Sequence, residues 1–167
     1  MTLTLARLNT MPADEAAQHF LACCGSSRWV EDMIARRPFD SLEQMLSASD
    51  AVWRTTGPRD WNEAFAHHPR IGERQAATHV SAAARAWSAG EQSAAQGAST
   101  RAALAQANQA YEERFGRIYL VCAAGRSGEE LLADIAARMN NPPDKELAIA
   151  VEEQRKIIML RLTSLIG

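Results

Sequence analysis

Nothing in this chain of 167 residues approaches the roughly 20 consecutive apolar residues that span a bilayer. Basic charge is not in excess either. The 18 Lys and Arg stand against 20 Asp and Glu, and a net charge of −2 supplies no field for nucleic acid or anionic lipid. Cysteine is scarce: Cys23 and Cys24 are adjacent and Cys122 is distant, so an odd set of 3 makes no disulfide framework and suits a reducing compartment. The H-E-x-x-H and C-x-x-C spacings of metal sites are missing, and Gly125-Arg126-Ser127-Gly128 fits no phosphate-loop template. Met1–Thr10 lacks the basic start and apolar core of a secretory leader, and Leu165-Ile166-Gly167 is not the Ser-Lys-Leu peroxisomal address. The expectation is a cytoplasmic globular protein with no membrane and no nucleic-acid partner.

Aromatic residues are few, at 6%, whereas hydrophobic residues reach 47%, much of it alanine, the best helix former. A chain of this length buries roughly 70% of its unfolded surface, enough for one core without a disulfide or metal staple. The expected fold is all-α: a single compact multi-helix domain over residues 1–167, with one short extended segment near residues 117–123. Asn9 and Thr10 before Met11-Pro12, with Asp14 and Glu15 following, read as a helix start, and that helix runs to Cys24. Ser26 or Ser27 caps the next, Asp40-Ser41-Leu42-Glu43 opens a third, and Gly57-Pro58 closes it. A short helix carrying Trp61 and Phe65 delivers the chain to His67-His68-Pro69. Residues 70–80 read as a loop, and Ser81–Gly97 as an alanine-rich helix. A long helix follows to Phe115, ended by Gly116. Ile118–Cys122 is short, apolar and partly β-branched, so its backbone needs donors and acceptors from elsewhere, either protein, water or ligand. Ser127–Glu130 has capping-box spacing, and the last helix, Asp144 to Leu165, shows an apolar stripe at Leu147, Val151, Ile158, Leu162 and Leu165.

Three places combine residue types with chemical capacity. His68 stands before Pro69, which restricts its backbone, and an imidazole with an ordinary pKa near 6.5 suits proton transfer at neutral pH. The same residue also reads as a surface histidine at a helix C-terminus, and His67 competes for the role. Ser88, Glu91 and Gln92 share one helical face, offering a hydroxyl, a carboxylate and an amide to the polar edges of a small heterocycle, or simply a solvated surface. Arg161 lies among Ile157, Ile158, Leu160 and Leu162, where its guanidinium either meets a buried acceptor or reaches out to solvent. A metal set built from His67, His68, His79 and Glu73 lacks any metal-site spacing, and Cys122 reads as core.

Taken in order, several motifs carry a family resemblance. They are Leu8-Asn9, Cys24-Gly25-Ser26-Ser27-x-Trp29-Val30 and Arg37-Pro38-Phe39. After them come His68-Pro69-Arg70-Ile71-Gly72-Glu73, Ser88-x-x-Glu91-Gln92, Tyr111-x-x-Arg114-Phe115-Gly116 and Leu160-Arg161-Leu162. The ordered set, spanning nearly the whole chain, resembles the 2-oxo-4-hydroxy-4-carboxy-5-ureidoimidazoline (OHCU) decarboxylases of the ureide route from urate to allantoin. Where many members have Phe-Pro-Phe after Phe-Gly, this chain reads Arg117-Ile118-Tyr119.

The resemblance implies an all-helical, commonly dimeric enzyme that forms (S)-allantoin from a small ureidoimidazoline substrate. It implies His68, Glu91 and Arg161 as catalytic residues, and Pro69, Ser88 and Gln92 with the Tyr119, Leu120, Val121, Cys122 and Ala123 segment as substrate-binding. No metal and no cofactor are implied, because the substrate's own C=N bond accepts the electron pair as CO₂ leaves. The protein's task is then to orient the carboxylate, stabilise developing charge and deliver one proton to one face. A metal-dependent amidohydrolase and a non-catalytic helical binding module are the rival classes, separated by chelation and by replacement of His68.

Overall fold

The structure, a computed structural model, describes residues 2–71 and 97–167. Among the described residues there are eight helices and no strand, and Leu3 and Ile166 meet only in an isolated parallel bridge. The helices are α1 (Leu5–Thr10), α2 (Ala13–Cys23), α3 (Ser27–Ala35), α4 (Leu42–Trp53), α5 (Pro58–Ala66), α6 (Ala98–Phe115), α7 (Gly128–Arg138) and α8 (Pro143–Leu165). The expected helix over Ser81–Gly97 and most of the 70–80 loop lie outside the described residues. No described helix is long and apolar enough to cross a membrane. The chain divides into two compact units, Met1–Ala64 with Arg155–Gly167, and Phe65–Gln154.

In the first unit, local chemistry sets the helix starts. Ser26 Oγ accepts from Trp29 N at 3.3 Å, and Ser41 Oγ accepts from Gln44 N at 3.1 Å, each meeting a donor that the first helical turn leaves without a partner. The chain start differs from expectation. Asn9 and Thr10 do not cap α2; they belong to α1, whose own cap is Thr4, and α2 begins after Pro12 with no side-chain cap. Asn9 is used for a tertiary contact, its amide exchanging two hydrogen bonds with the Phe39 backbone at 2.8 and 2.9 Å. Arg37 donates to Leu8 O and Met11 O at the C-terminal end of α1, where the helix dipole favours a cation. The α3 helix packs against α2 and α4, with Trp29 edge-on to Phe20 at 5.8 Å.

In the second unit α6 packs against α7 around Leu104, Tyr111, Tyr119, Leu131 and Ile135. Gly116 ends α6 with φ +71°, a left-handed turn that costs a residue with a Cβ and costs glycine little. Ser127 and Glu130 form the full capping box that opens α7. Between these two ends Ile118–Ala123 is neither helix nor strand, although Tyr119, Leu120, Val121 and Ala123 are all buried. A buried backbone without a regular partner has to be held by side chains, and the site is built from the residues that do so.

Candidate active site

The α5 helix stops at Ala66 because Pro69 follows and disfavours helical geometry in the residue before it. His68 N closes a last tight turn on Phe65 O at 3.2 Å. This leaves His68 only 7% exposed, far from the surface position that a helix-end histidine usually takes. Its Nε2 lies 2.9 Å from Oε1 of Gln154, a residue of α8 that is 0% exposed. Past Pro69, Arg70 Nε donates to Glu112 Oε2 on α6 at 2.8 Å, tying the outgoing chain down.

That carboxylate starts a relay to the non-helical segment. Glu112 Oε2 also accepts from Asn108 Nδ2 at 3.1 Å, and the buried Asn108 Oδ1 accepts from Tyr119 N at 2.9 Å. One residue on, Arg138 Nη1 donates to Leu120 O at 2.8 Å, and two further on, Cys122 N donates to Glu153 Oε2 at 2.8 Å. Three remote side chains therefore replace the missing ladder. Consecutive residues of α8 thus hold both parts: Glu153 grips the segment and Gln154 grips His68. Val121, between the gripped positions, makes no backbone hydrogen bond to any described residue.

Arg138 can hold Leu120 because its charge is met. Its Nε donates to Glu146 Oε1 at 2.7 Å, and Nη2 stands 2.6 Å from the same oxygen as an ion-pair contact rather than an aligned hydrogen bond. Tyr111 OH donates to that oxygen at 2.6 Å and Asn141 Nδ2 to the other at 3.0 Å, so both oxygens of the fully buried carboxylate are hydrogen-bonded. The Arg138 guanidinium also lies over the Tyr119 ring at 4.7 Å, and Tyr119 OH donates to Asp134. Burial, then the hydrogen bond to Glu146, pushes the Tyr111 phenol up to about 12. Burial and the bond to Asp134 push Tyr119 further in the same direction.

Arg161 belongs to the first unit and is 2% exposed, so the buried reading of its apolar setting holds over the solvent-reaching one. Its Nη1 donates to Ala22 O at 3.3 Å, in the last turn of α2, where the helix dipole is negative. The neighbouring thiols, Cys23 and Cys24, are buried. Burial drives Cys24 up to about 12 and Cys23 higher still, opposed at Cys24 by the Ser26 backbone hydrogen bond and at both by the Arg161 charge.

Of the residues expected to act, the structure brings His68 and the Tyr119–Ala123 segment onto one stretch of α8. It places Arg161 in the other unit. Ser88, Glu91 and Gln92 lie outside the described residues, as do Glu73 and His79. Sequence reasoning missed Gln154, Glu153, Asn108 and Arg138. Gln154 falls on the fully buried line of α8 formed by Glu146, Ala150, Gln154, Ile157 and Arg161, a line that burial reveals and the mixed local sequence does not. Polar residues at core positions of a helical stripe are the informative exceptions.

The class defined by this arrangement is an all-helical protein with a buried histidine anchored beside a non-helical segment. The family model described as OHCU decarboxylase matches residues 9–163. The Arabidopsis thaliana uric acid degradation bifunctional protein TTL is 38% identical over 146 residues, 86% of this chain but 45% of the plant protein. The OHCU decarboxylase of Haloferax volcanii is 25% identical over 161 residues, 96% of this chain and 94% of its own length. A crystal structure of an OHCU decarboxylase in the presence of (S)-allantoin superposes with a TM-score of 0.75 at 33% identity, covering 87% of this chain and 95% of that one. An (S)-allantoin synthase structure shares the fold at a TM-score of 0.69 and 18% identity, covering 98% of this chain and 54% of that one. The chain belongs to the OHCU decarboxylase family. It spans less than half the length of the plant bifunctional relative.

Proposed function

We propose that this chain decarboxylates 2-oxo-4-hydroxy-4-carboxy-5-ureidoimidazoline to (S)-allantoin, with no cofactor and with His68 in proton transfer. The observation that carries the reading is the buried His68, held by Gln154 on the same stretch of α8 that holds the non-helical segment through Glu153. Family membership supplies the reaction class.

In the proposed reaction the bond from the ring carbon to the carboxylate breaks. Its electron pair forms a double bond to the neighbouring carbon, and the C=N pair moves onto nitrogen, which takes a proton. The resulting enol gives up its hydroxyl proton and receives one at the neighbouring carbon on a single face, which sets the S centre. His68 takes the hydroxyl proton; a positioned side chain doing this contributes on the order of 10²–10⁴ in rate. Glu91 orients the ring or His68, Ser88 and Gln92 bond the polar edges, Pro69 lines the site, and Arg161 holds an anionic or carbonyl oxygen. These roles rest on the family resemblance. In the 119–123 segment the groups of Tyr119, Leu120 and Cys122 that bond Asn108, Arg138 and Glu153 have protein partners, so Val121 is the favoured backbone contact for the ligand. The protein acts as one domain over residues 1–167, as a homodimer in the cytoplasm.

The test generates the unstable substrate in situ from urate and follows the circular dichroism of allantoin. Acceleration that survives exhaustive chelation, with one enantiomer in excess, supports the decarboxylase. Loss of activity on chelation would instead indicate the metal-dependent hydrolase, and absence of any acceleration would indicate a binding module.

A further inference from the structure

Gln154 is a costly choice for packing. It is fully buried, and its amide nitrogen has no hydrogen-bond partner among the described residues. An unsatisfied buried donor is destabilising, and a leucine on this stripe of α8 would avoid that cost. The other end of the amide does make a bond, 2.9 Å from His68 Nε2 across 86 positions of chain. With the amide oxygen facing the ring, the oxygen accepts, the imidazole donates and Nε2 carries the proton; the opposite amide orientation would put the proton on Nδ1, which is the outcome that the experiment below separates.

We propose that Gln154 is a positioning residue that holds neutral His68 as its Nε2–H tautomer, leaving Nδ1 as the nitrogen that exchanges a proton with the substrate. The inference rests on the decarboxylase reading given above. In a neutral imidazole one nitrogen donates and the other accepts, and the partner of one decides the state of the other. Without the Gln154 oxygen the ring loses the contact that fixes its proton on Nε2, so a fraction of the enzyme presents an N–H where a lone pair is needed. When Nδ1 takes the substrate's hydroxyl proton, the imidazolium keeps Nε2–H on the amide oxygen. Glutamine, being neutral, orients the ring without holding it in the charged form, as a carboxylate at the same place would. A base must be unprotonated before it can act, so the neutral partner suits the task.

The experiment reads the ring directly. Full-length protein labelled with ¹⁵N is compared by two-bond ¹H–¹⁵N correlation in wild type, Gln154→Leu and Gln154→Glu, with the His68 pattern assigned by its loss in His68→Asn. The wild type should show the Nε2–H pattern at a pH where the ring is neutral. Gln154→Leu should lose that fixed pattern and lose at least tenfold in kcat with KM within about twofold, while its helical dichroism is retained. Gln154→Glu should keep Nε2–H and move the low-pH limb of kcat upward, because the carboxylate favours the imidazolium. An Nδ1–H pattern in the wild type overturns the inference, even where Gln154→Leu does not fold. So does a folded Gln154→Leu with the wild-type ring pattern and kcat. The decarboxylase reading is judged separately: a wild type that fails to accelerate allantoin formation removes it whatever the ring pattern shows.

Discussion

Replacing Arg138 with Met is the most demanding probe of how the site is held. Arg138 and Glu146 are 6% and 0% exposed at their side chains, and among the described residues the arginine supplies the donor for Leu120 O. Met keeps most of the volume, so the loss is electrostatic rather than a cavity. Removing one partner of a buried pair typically costs about 3–5 kcal/mol, because the remaining charge stays desolvated. Here Tyr111 OH and Asn141 still donate to Glu146, which favours the lower half of that range, about 3 kcal/mol. Orphaning the Leu120 carbonyl adds about 1 kcal/mol or more. Against a typical total of about 5–15 kcal/mol this is a large fraction of the stability. For a chain of this size it corresponds to a fall in Tm of roughly 8–16 °C, at about 2–4 °C per kcal/mol. The assay is urea unfolding of R138M, E146M and the double variant. The double variant should recover at least half the loss of R138M, since no charge is then left buried without its counterpart. A cost below about 1 kcal/mol for R138M, or a double variant whose losses simply add, would refute the reasoning.

Other outcomes follow from the same geometry. The chain has two tyrosines, Tyr111 and Tyr119, and both phenols are pushed above their ordinary value of about 10. The folded state therefore keeps protons that the unfolded state releases, so their contribution to stability is whole below pH 10 and is lost as the pH rises toward 12 and beyond. Tyrosinate absorbance near 295 nm should stay absent at pH 10 in the native protein and appear together with unfolding; half-ionisation at pH 10 with the fold intact contradicts this. Brief alkylation of native protein at pH 8, read by peptide mass spectrometry, should mark the half-buried Cys122 well before the buried Cys23 and Cys24. Equal labelling of all three would show that the end of α2 is more open than described.

Much of the fold could be read in advance where the signal is local. Ser26, Ser127-x-x-Glu130 and Gly116 each act on groups within a few residues, and each does what its type and spacing suggest, whereas the Asp40-x-x-Glu43 spacing forms no box and Ser41, one residue on, is the cap. The failure at the chain start has a physical cause. Asn9 has the right chemistry for a cap, but the Phe39 backbone, 30 positions away, competes for the same amide. The Ile118–Cys122 stretch was legible as an apolar, irregular segment, and its need for outside partners followed from backbone chemistry alone. The identity of those partners did not, since Asn108, Arg138 and Glu153 come from three helices that meet only in the folded chain. Arg161 announced itself by charge amid aliphatic neighbours. Gln154 did not, because an uncharged polar residue in a sequence as mixed as Glu152-Glu153-Gln154-Arg155-Lys156 looks like solvent-facing surface until the buried line of α8 is drawn through it.

In the proposed reaction His68 moves a proton in a decarboxylation whose substrate supplies its own electron sink. The most direct measurement is the rate and handedness of allantoin formation from substrate generated in situ, with wild type and H68N compared at equal concentration and shown to be equally folded. Wild type should give a signal of one sign well above the uncatalysed reaction. H68N should fall by on the order of 10²–10⁴-fold, toward the racemic background. A folded H68N variant that retains wild-type rate and handedness would contradict proton transfer by His68.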